Sequence, residues 1–433
     1  MQTRIREREL AKLTHRIGDA FFDTVESCQP HVLQAEWWHD WLMNQWMRDE
    51  ELKVQTFRLI DALPALRSDE EIARHLREYL SFTRDGQRDA HAASADSPGG
   101  VQAANGEPPL RNLIAAAVGF RNPRGLWARC AARAARSAAI RMARTFIAGR
   151  DPDEAEQTIR AMRNRQLAFT IDVLGEAAVS ESEAEAYQRT YLHLINELCR
   201  HAESWPHEPL TDLGDGVPIP KVNVSVKLTS IYSKLDPIAA DAVCAAVKDR
   251  LRPLLRAGMR HGAHIHIDME HYAVKDLTLR ICREVFCESE FRDYPHFGIV
   301  LQAYLKDGDR DVADTVEWVR RRGTPIWVRL VKGAYWDTET VLARQRHWPC
   351  PVWEQKWQSD ACYERMTRVL LENHEHICGA FASHNIRSLS HALALRQLLD
   401  VPRHRFELQM LYGMGDPLKR ACVRMGERCR VYT

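Results

Sequence analysis

Between residue 150 and residue 433, short runs of β-forming residues alternate with amphipathic helical stretches, and this alternation limits the fold more than any other feature. The runs are Ala168–Val173, Val222–Leu228, Ala263–Asp268, Ile299–Tyr304, Pro325–Val331, Ala380–Ser383, Phe406–Leu411 and Cys429–Tyr432. Between them lie helical patterns such as Tyr187, Tyr191, Leu194 and Leu198 behind a Ser180/Glu183 capping box, and Val312, Val316 and Val319. Alternation of this kind calls for parallel strands joined by right-handed crossovers. Eight of them in roughly 280 residues predict an α/β fold, a (β/α)8 barrel of the TIM type, rather than an open sheet. No G-x-G-x-x-G follows a strand, and Gly413-Met414-Gly415 is only a fragment of that pattern, which argues against a Rossmann domain.

The first part of the chain reads differently. Leu10, Leu13, Ile17 and Phe21 recur at helical spacing, as do Trp38, Leu42 and Trp46, and Ser68 with Glu71 forms a capping box ahead of Ile72, Leu76 and Leu80. Residues 1–82 are therefore expected to be an all-helical arm. The tryptophans Trp37, Trp38, Trp41 and Trp46 are read as packed inside it rather than as a partner-binding face. Residues 83–110, rich in Gly, Pro, Ser, Asp and Ala, bury too little apolar surface to offset chain entropy and are expected to be a flexible linker. Residues 111–149 are Arg- and Ala-rich with apolar residues interleaved, a helical segment that suits packing on a neighbour better than an anionic membrane surface. The barrel then occupies residues 150–433.

Composition narrows the function classes. With 60 Lys+Arg against 59 Asp+Glu the chain has no broad basic field, so nucleic acid is not an expected partner. Eleven Cys without a C-x-x-C pair point to reduced thiols. No stretch approaches the roughly 18 to 20 apolar residues of a spanning helix, and the start carries no apolar run of a secretory signal, so a cytoplasmic location is expected.

Active sites of such barrels lie at the C-terminal ends of the strands, and this chain is dense in polar residues there. Asp172 and Glu176 close the first strand, Lys227 the second, Asp268 and Glu270 the third, and Gln302 the fourth. Arg329, Lys332, Tyr335 and Trp336 follow the fifth, His384 and Asn385 the sixth, Gln409 the seventh and Tyr432 the eighth. Structural pairing explains one such charge more easily than a whole ring, because unpaired buried charges are costly. Two chemistries can be weighed on the residues themselves. His264 and His266 share parity with Asp268 and Glu270, as in the H-x-H ligands of a metal-dependent barrel hydrolase, although the eighth strand offers no carboxylate ligand. Lys227 or Lys332 is a candidate Schiff-base nucleophile of an aldolase, against the commoner role of anion anchor.

The segments SVKLTSIY, HIDMEHY, GIVLQAYLKD, WVRLVKGAYWD, FASHN and FELQMLYGMGDP, in this order and joined by DVLGEA at residues 172–177, resemble the proline dehydrogenase family. The likeness is to the proline dehydrogenase module of bacterial bifunctional proline utilisation proteins; it covers about 150 to 433, and residues 1–149 are similar to the arm and linker preceding that barrel. The resemblance implies FAD at the C-terminal face, oxidation of L-proline to Δ1-pyrroline-5-carboxylate by hydride transfer to flavin N5, and a membrane quinone as electron acceptor. Transient attachment to the inner membrane and a homo-oligomer are compatible with it. By their matching positions, Lys227 would pair with the substrate carboxylate and with Asp268, and Arg329 would sit near flavin N5 and offset developing negative charge. Asp268, Gln302, Val331, Gly333, Trp336, Lys356, Ser383, His384, Asn385 and Gln409 match cofactor-lining positions. Ala334, Tyr335, Leu411 and Tyr432 match the walls around the proline ring.

Two departures accompany the likeness. Where the family has an Arg-Lys pair on the FAD phosphates, this chain reads WEQKW, with Gln355 in place of the arginine and Lys356 kept. The family's helix after the eighth strand, with a tyrosine and two arginines clamping the carboxylate, falls beyond Thr433, as does an aldehyde dehydrogenase domain. A barrel of these residues alone is expected to be marginally stable and weakly active or inactive.

Overall fold

Eight parallel strands carry the fold: β1 (Ala168–Thr170), β2 (Asn223–Val226), β3 (His264–Ile267), β4 (Phe297–Gln302), β5 (Ile326–Val331), β6 (Ile377–Ala382), β7 (Phe406–Leu411) and β8 (Cys429–Tyr432). The computed structural model describes residues 7–29, 54–55, 58, 66, 68–79, 125–175 and 177–433. In it the strands bond in the order β1-β8-β7-β6-β5-β4-β3-β2. The seam between β1 and β2 closes through a parallel bridge of Ile171 with Val224. There the Ile171 N–H donates to the Asn223 carbonyl at 3.0 Å and the Ser225 N–H to that of Ile171 at 2.8 Å. The (β/α)8 barrel expected from the alternation is present. Its first strand is shorter than its β-forming run, because beyond Thr170 the chain has only that narrow seam to pair with. β4 and β6 begin earlier than expected, at Phe297 and Ile377.

The helices are α1 (Glu7–Ser27), α2 (Leu126–Phe146), α3 (Pro152–Arg163), α4 (Glu181–Ala202), α5 (Ala240–His261), α6 (Tyr272–Val285), α7 (Gly308–Arg322), α8 (Trp336–Arg346), α9 (Lys356–Glu372), α10 (Ile386–Leu398) and α11 (Asp416–Arg424). Local chemistry sets their starts. Ser180 caps α4, its hydroxyl accepting from the Glu183 N–H, while the Glu183 carboxylate reaches back to the Val179 N–H at 2.9 Å. The stripe Tyr191, Leu194 and Leu198 is then buried against the strands, as are Val312, Val316 and Val319 of α7. α1 buries Leu10, Leu13, Ile17 and Phe21 and packs against α10 and α11.

The chain divides into two compact units, residues 1–28 with 147–433, and residues 29–146. In the second, Ser68 and Glu71 exchange hydrogen bonds at 3.2 and 3.3 Å and open a helical run over 69–79, in which Ile72 and Leu76 are buried. α2 belongs to the same unit and buries Ala128 and Ala132, with Leu126 and Trp127 exposed. The four tryptophans at 37, 38, 41 and 46 and the segment 83–110 lie outside the described residues, as does Glu176.

Inside the barrel, side-chain parity separates two environments. Val328 and Leu330 of β5 point outward into the main apolar core under the helices, whereas Trp327 and Arg329 point toward the axis. The axis is polar. Arg430 donates to Glu407 at 2.7 and 3.0 Å, Gln409 Nε2 to Glu407 at 2.6 Å, and Arg329 Nε to Gln409 Oε1 at 2.7 Å. These contacts form one hydrogen-bonded column from the N-terminal end of the barrel toward its mouth, and each charge in it is compensated by a neighbour.

Candidate active site

At the C-terminal ends of the strands the column opens into a cavity of about 460 Å³. Arg329, 3 % exposed, is fixed there on all sides: Nη1 donates to Asp268 Oδ1 at 2.5 Å and to Ser225 Oγ at 3.0 Å, while Nε is held by Gln409. Its guanidinium lies 5.0 Å over the Tyr432 ring. The Tyr432 hydroxyl donates to Asp268 Oδ2 at 2.6 Å and lies 3.0 Å from Asp172 Oδ2. Burial, followed by the Asp268 charge, pushes its phenol well above the ordinary value, so it remains a donor. Lys227 is ion-paired with Asp172, whose other oxygen accepts from the Tyr191 hydroxyl at 2.9 Å.

The remaining walls come from loops after β4 to β7. Gln302 donates through Nε2 to the Glu270 carbonyl at 3.1 Å, and its Oε1 is buried without a partner. Gly333 adopts φ +140, and a Cβ there would lie 2.4 Å from the Tyr304 ring. A glycine is the residue that can occupy this place. Val331, Ala334 and Tyr335 line the same wall, and burial together with Glu270 and Asp268 pushes the Tyr335 phenol up to about 12. Ser383, His384 and Leu411 complete the rim. Burial and then Lys419 lower the His384 imidazole, which suits the 3.0 Å hydrogen bond its Nε2 accepts from the Leu411 N–H.

The structure brings most of the positions read from the sequence together at this cavity, with a different partner for Lys227 and with Trp336, Lys356 and Asn385 outside the lining. Lys227, Asp268 and Arg329 share it, but the carboxylate paired with Lys227 is that of Asp172, because Asp268 is already taken by Arg329 and Tyr432. Trp336, Lys356 and Asn385 are not part of its lining. Trp336 donates from Nε1 to the Trp353 carbonyl at 2.8 Å, Lys356 opens α9, and Asn385 caps α10 by accepting from the Ser388 N–H at 3.2 Å. Sequence reasoning places Asp172 and Lys332 at strand ends without their partners, Lys227 and Asp360, and misses Ser225. Asp172 stands at a strand end like the others, whereas Ser225 carries no signal beyond its inward parity.

The rival chemistries find little geometry. His264 begins β3 at the opposite end of the barrel, where it lines a separate cavity of about 300 Å³ with Glu407 and Arg430. Its Nε2 is 2.9 Å from His266 Nδ1, and His266 Nε2 is 3.0 Å from the Ile299 carbonyl. Among the described residues no group of three His, Cys, Asp or Glu is placed to hold a metal ion. Lys227 and Lys332 are each ion-paired with a carboxylate, the arrangement of a charged anchor rather than of a free amine nucleophile.

The fold and this mouth define a (β/α)8-barrel protein with a charged, substrate-sized cavity at its strand-end face. The chain belongs to the proline dehydrogenase family: the family model described as proline dehydrogenase matches residues 155–433, and the one described as the proline utilization A N-terminal domain matches residues 11–106. It is 27% identical over 300 residues to the bifunctional protein PutA of Klebsiella aerogenes, covering 67% of this chain and 22% of the relative. It is 28% identical over 290 residues to proline dehydrogenase 1 of Bacillus subtilis, covering 67% of this chain and 80% of the relative. Among solved structures, proline utilization A from Bdellovibrio bacteriovorus inactivated by N-propargylglycine superposes with a TM-score of 0.82 at 38% identity, over 98% of this chain and 39% of that one. The chain thus spans under a quarter of the length of the bifunctional PutA relatives it matches.

Proposed function

We propose that this protein oxidises L-proline to Δ1-pyrroline-5-carboxylate with FAD as cofactor and a membrane quinone as final electron acceptor. The observation that carries this reading is the buried Arg329 guanidinium, held by Asp268, Gln409 and Ser225 inside the cavity that Lys227 and Tyr335 also line. The residues fit the cofactor in two respects. Gln302 Oε1 is a buried acceptor awaiting a donor, and Gly333 lines the same cavity while the place of its missing Cβ is filled by the Tyr304 ring.

When bound, FAD supplies the acceptor for the hydride from the proline carbon next to nitrogen. Everything else falls to side chains of this chain. Lys227, steadied by Asp172, binds the substrate carboxylate. Arg329 keeps a fixed positive charge where negative charge develops, and it needs no reorganisation because its donors are already bonded. Ala334, Tyr335, Leu411 and Tyr432 form the walls that orient the small ring and exclude water. Val331, Gly333, Ser383, His384 and Gln409 face the cofactor from the cavity, with Trp336, Lys356 and Asn385 beyond its edge.

The proposed place of action is the cytoplasmic surface of a membrane, where the quinone is reached. Among the described residues no helix is long and apolar enough to cross one. Anaerobic mixing of the FAD-loaded protein with L-proline tests the reading. Bleaching of the flavin bands is expected; bands that persist in the presence of proline would overturn it.

A further inference from the structure

The wall residue Tyr335 is backed by a histidine that is not itself part of the cavity lining. His271, at the N-cap of α6, sets its imidazole against the phenol ring, the two centroids 4.2 Å apart and the planes inclined at 47°. Among the described residues no hydrogen bond fixes the Tyr335 hydroxyl; burial and the charges of Glu270 and Asp268 are what act on it. The direction of the phenol therefore rests on the groups packed against it.

Glu339 holds the histidine in place. It lies in the first turn of α8, and its N–H donates to the Tyr335 carbonyl at 2.9 Å. Its carboxylate, 7 % exposed, accepts from the Tyr272 N–H at 2.7 Å and so supplies α6 with the N-terminal bond that the His271 side chain does not make. The same Oε1 lies 3.6 Å from His271 Nδ1, a buried atom with no hydrogen-bond partner. Glu339 thus ties the loop after β3, which carries Asp268 and Glu270, to the loop after β5, which carries Gly333, Ala334 and Tyr335. Tyr272 adds a tie to the loop after β4, its hydroxyl donating to Asp307 Oδ2 at 2.9 Å.

We infer that His271, clamped by Glu339, is a positioning residue that sets the Tyr335 wall and thereby the size of ring the cavity accepts. The inference rests on the function proposed above. It needs no contact between His271 and substrate. A phenol free to swing gives way to a bulkier ring, whereas one backed by an imidazole meets that ring as a fixed surface, and a small pocket discriminates an extra methylene only against such a surface.

The test compares L-proline with L-pipecolate, the cyclic amino acid with one more ring methylene. Values of kcat and KM for both are measured on the full chain loaded with FAD, for the natural sequence, His271→Ala, His271→Phe, Glu339→Ala and Glu339→Gln. His271→Ala is expected to lower kcat/KM for L-proline about tenfold and to narrow the preference over L-pipecolate by about the same factor. His271→Phe, which restores a ring against Tyr335, should recover most of the preference. Glu339→Gln keeps an acceptor for the Tyr272 N–H and should retain more of it than Glu339→Ala. The His271 side chain is 45 % exposed, so thermal melts should show its alanine variant folded. A preference that does not move in His271→Ala, pipecolate still refused included, or one lost equally in His271→Phe, would overturn the inference. A natural sequence whose flavin L-proline does not reduce would instead remove the proposed function itself.

Discussion

Lys227 is bonded to Asp172 across the β1–β2 seam, not to Asp268 on the next strand. The seam explains the choice. The Ile171–Val224 bridge brings the ends of these two strands side by side, while Asp268 turns toward the axis and is held by Arg329 and Tyr432. Asp172 thereby joins Lys227, Tyr191 and Tyr432 in one cluster.

Replacing Asp172 with Asn should release the Lys227 ammonium from its fixed direction without changing the volume of the side chain. A positioning loss of this kind is expected to raise the KM for proline about tenfold and to leave kcat within a few fold. Steady-state kinetics separate the two effects. A fall in kcat at constant KM would show that Asp172 acts elsewhere than on substrate binding.

Arg329→Met removes the counter-charge of a carboxylate that is itself largely buried. Uncompensated buried charge costs about 3–5 kcal/mol, so thermal unfolding should shift to clearly lower temperature, and flavin reduction by proline should fail in whatever protein remains folded. Arg329→Met/Asp268→Asn should recover part of the stability but none of the reduction. Calorimetry of the single and double variants checks the first point and anaerobic spectra the second.

Gly333→Ala places a methyl group at φ +140, 2.4 Å from the Tyr304 ring. The strained backbone costs about 1–3 kcal/mol, and either the ring or the Gly333 backbone, which lines the cavity, must shift. Weaker flavin binding with a lowered Tm is expected, read by fluorescence titration and by thermal melting. Equal flavin affinity in the variant would mean that this wall does not approach the cofactor.

Acid should unfold the barrel through Glu407. Burial pushes its carboxyl up, yet Arg430 and Arg428 outweigh burial and hold it at about 2, against an ordinary value of 4.5. Between those values the folded chain binds fewer protons than the unfolded one, so the contribution is fully present above pH 4.5 and is lost as the pH falls toward 2. Urea melts across that window should show the decline. Glu407→Gln should be less stable at neutral pH and should show a shallower decline over the same range.

The barrel was legible because its signals are local and repeated. Each strand run overlaps a strand of the structure, Pro325–Val331 bracketing its own whole, and the Ser180 and Ser68 caps open helices where their spacing predicts. The mouth was legible in part. Strand-end position alone places Lys227, Asp268, Arg329, Gln302, Gln409 and Tyr432 at one cavity, since all strands point the same way. His264 shows the limit of parity. It shares a face with Asp268, but parity does not say at which end of the barrel a residue stands, and His264 begins its strand.

From the residues alone came the parallel eight-strand order, the face on which function is sought, and the set of charges gathered there, because periodicity and chain direction decide these. Pairing was decided only by the folded structure. Whether Lys227 meets Asp172 or Asp268, and whether Lys356 acts alone or with Lys332 on Asp360, depends on which strand ends lie adjacent and how far each side chain reaches. Those are distances between residues far apart in the chain, and nothing in their local spacing encodes them.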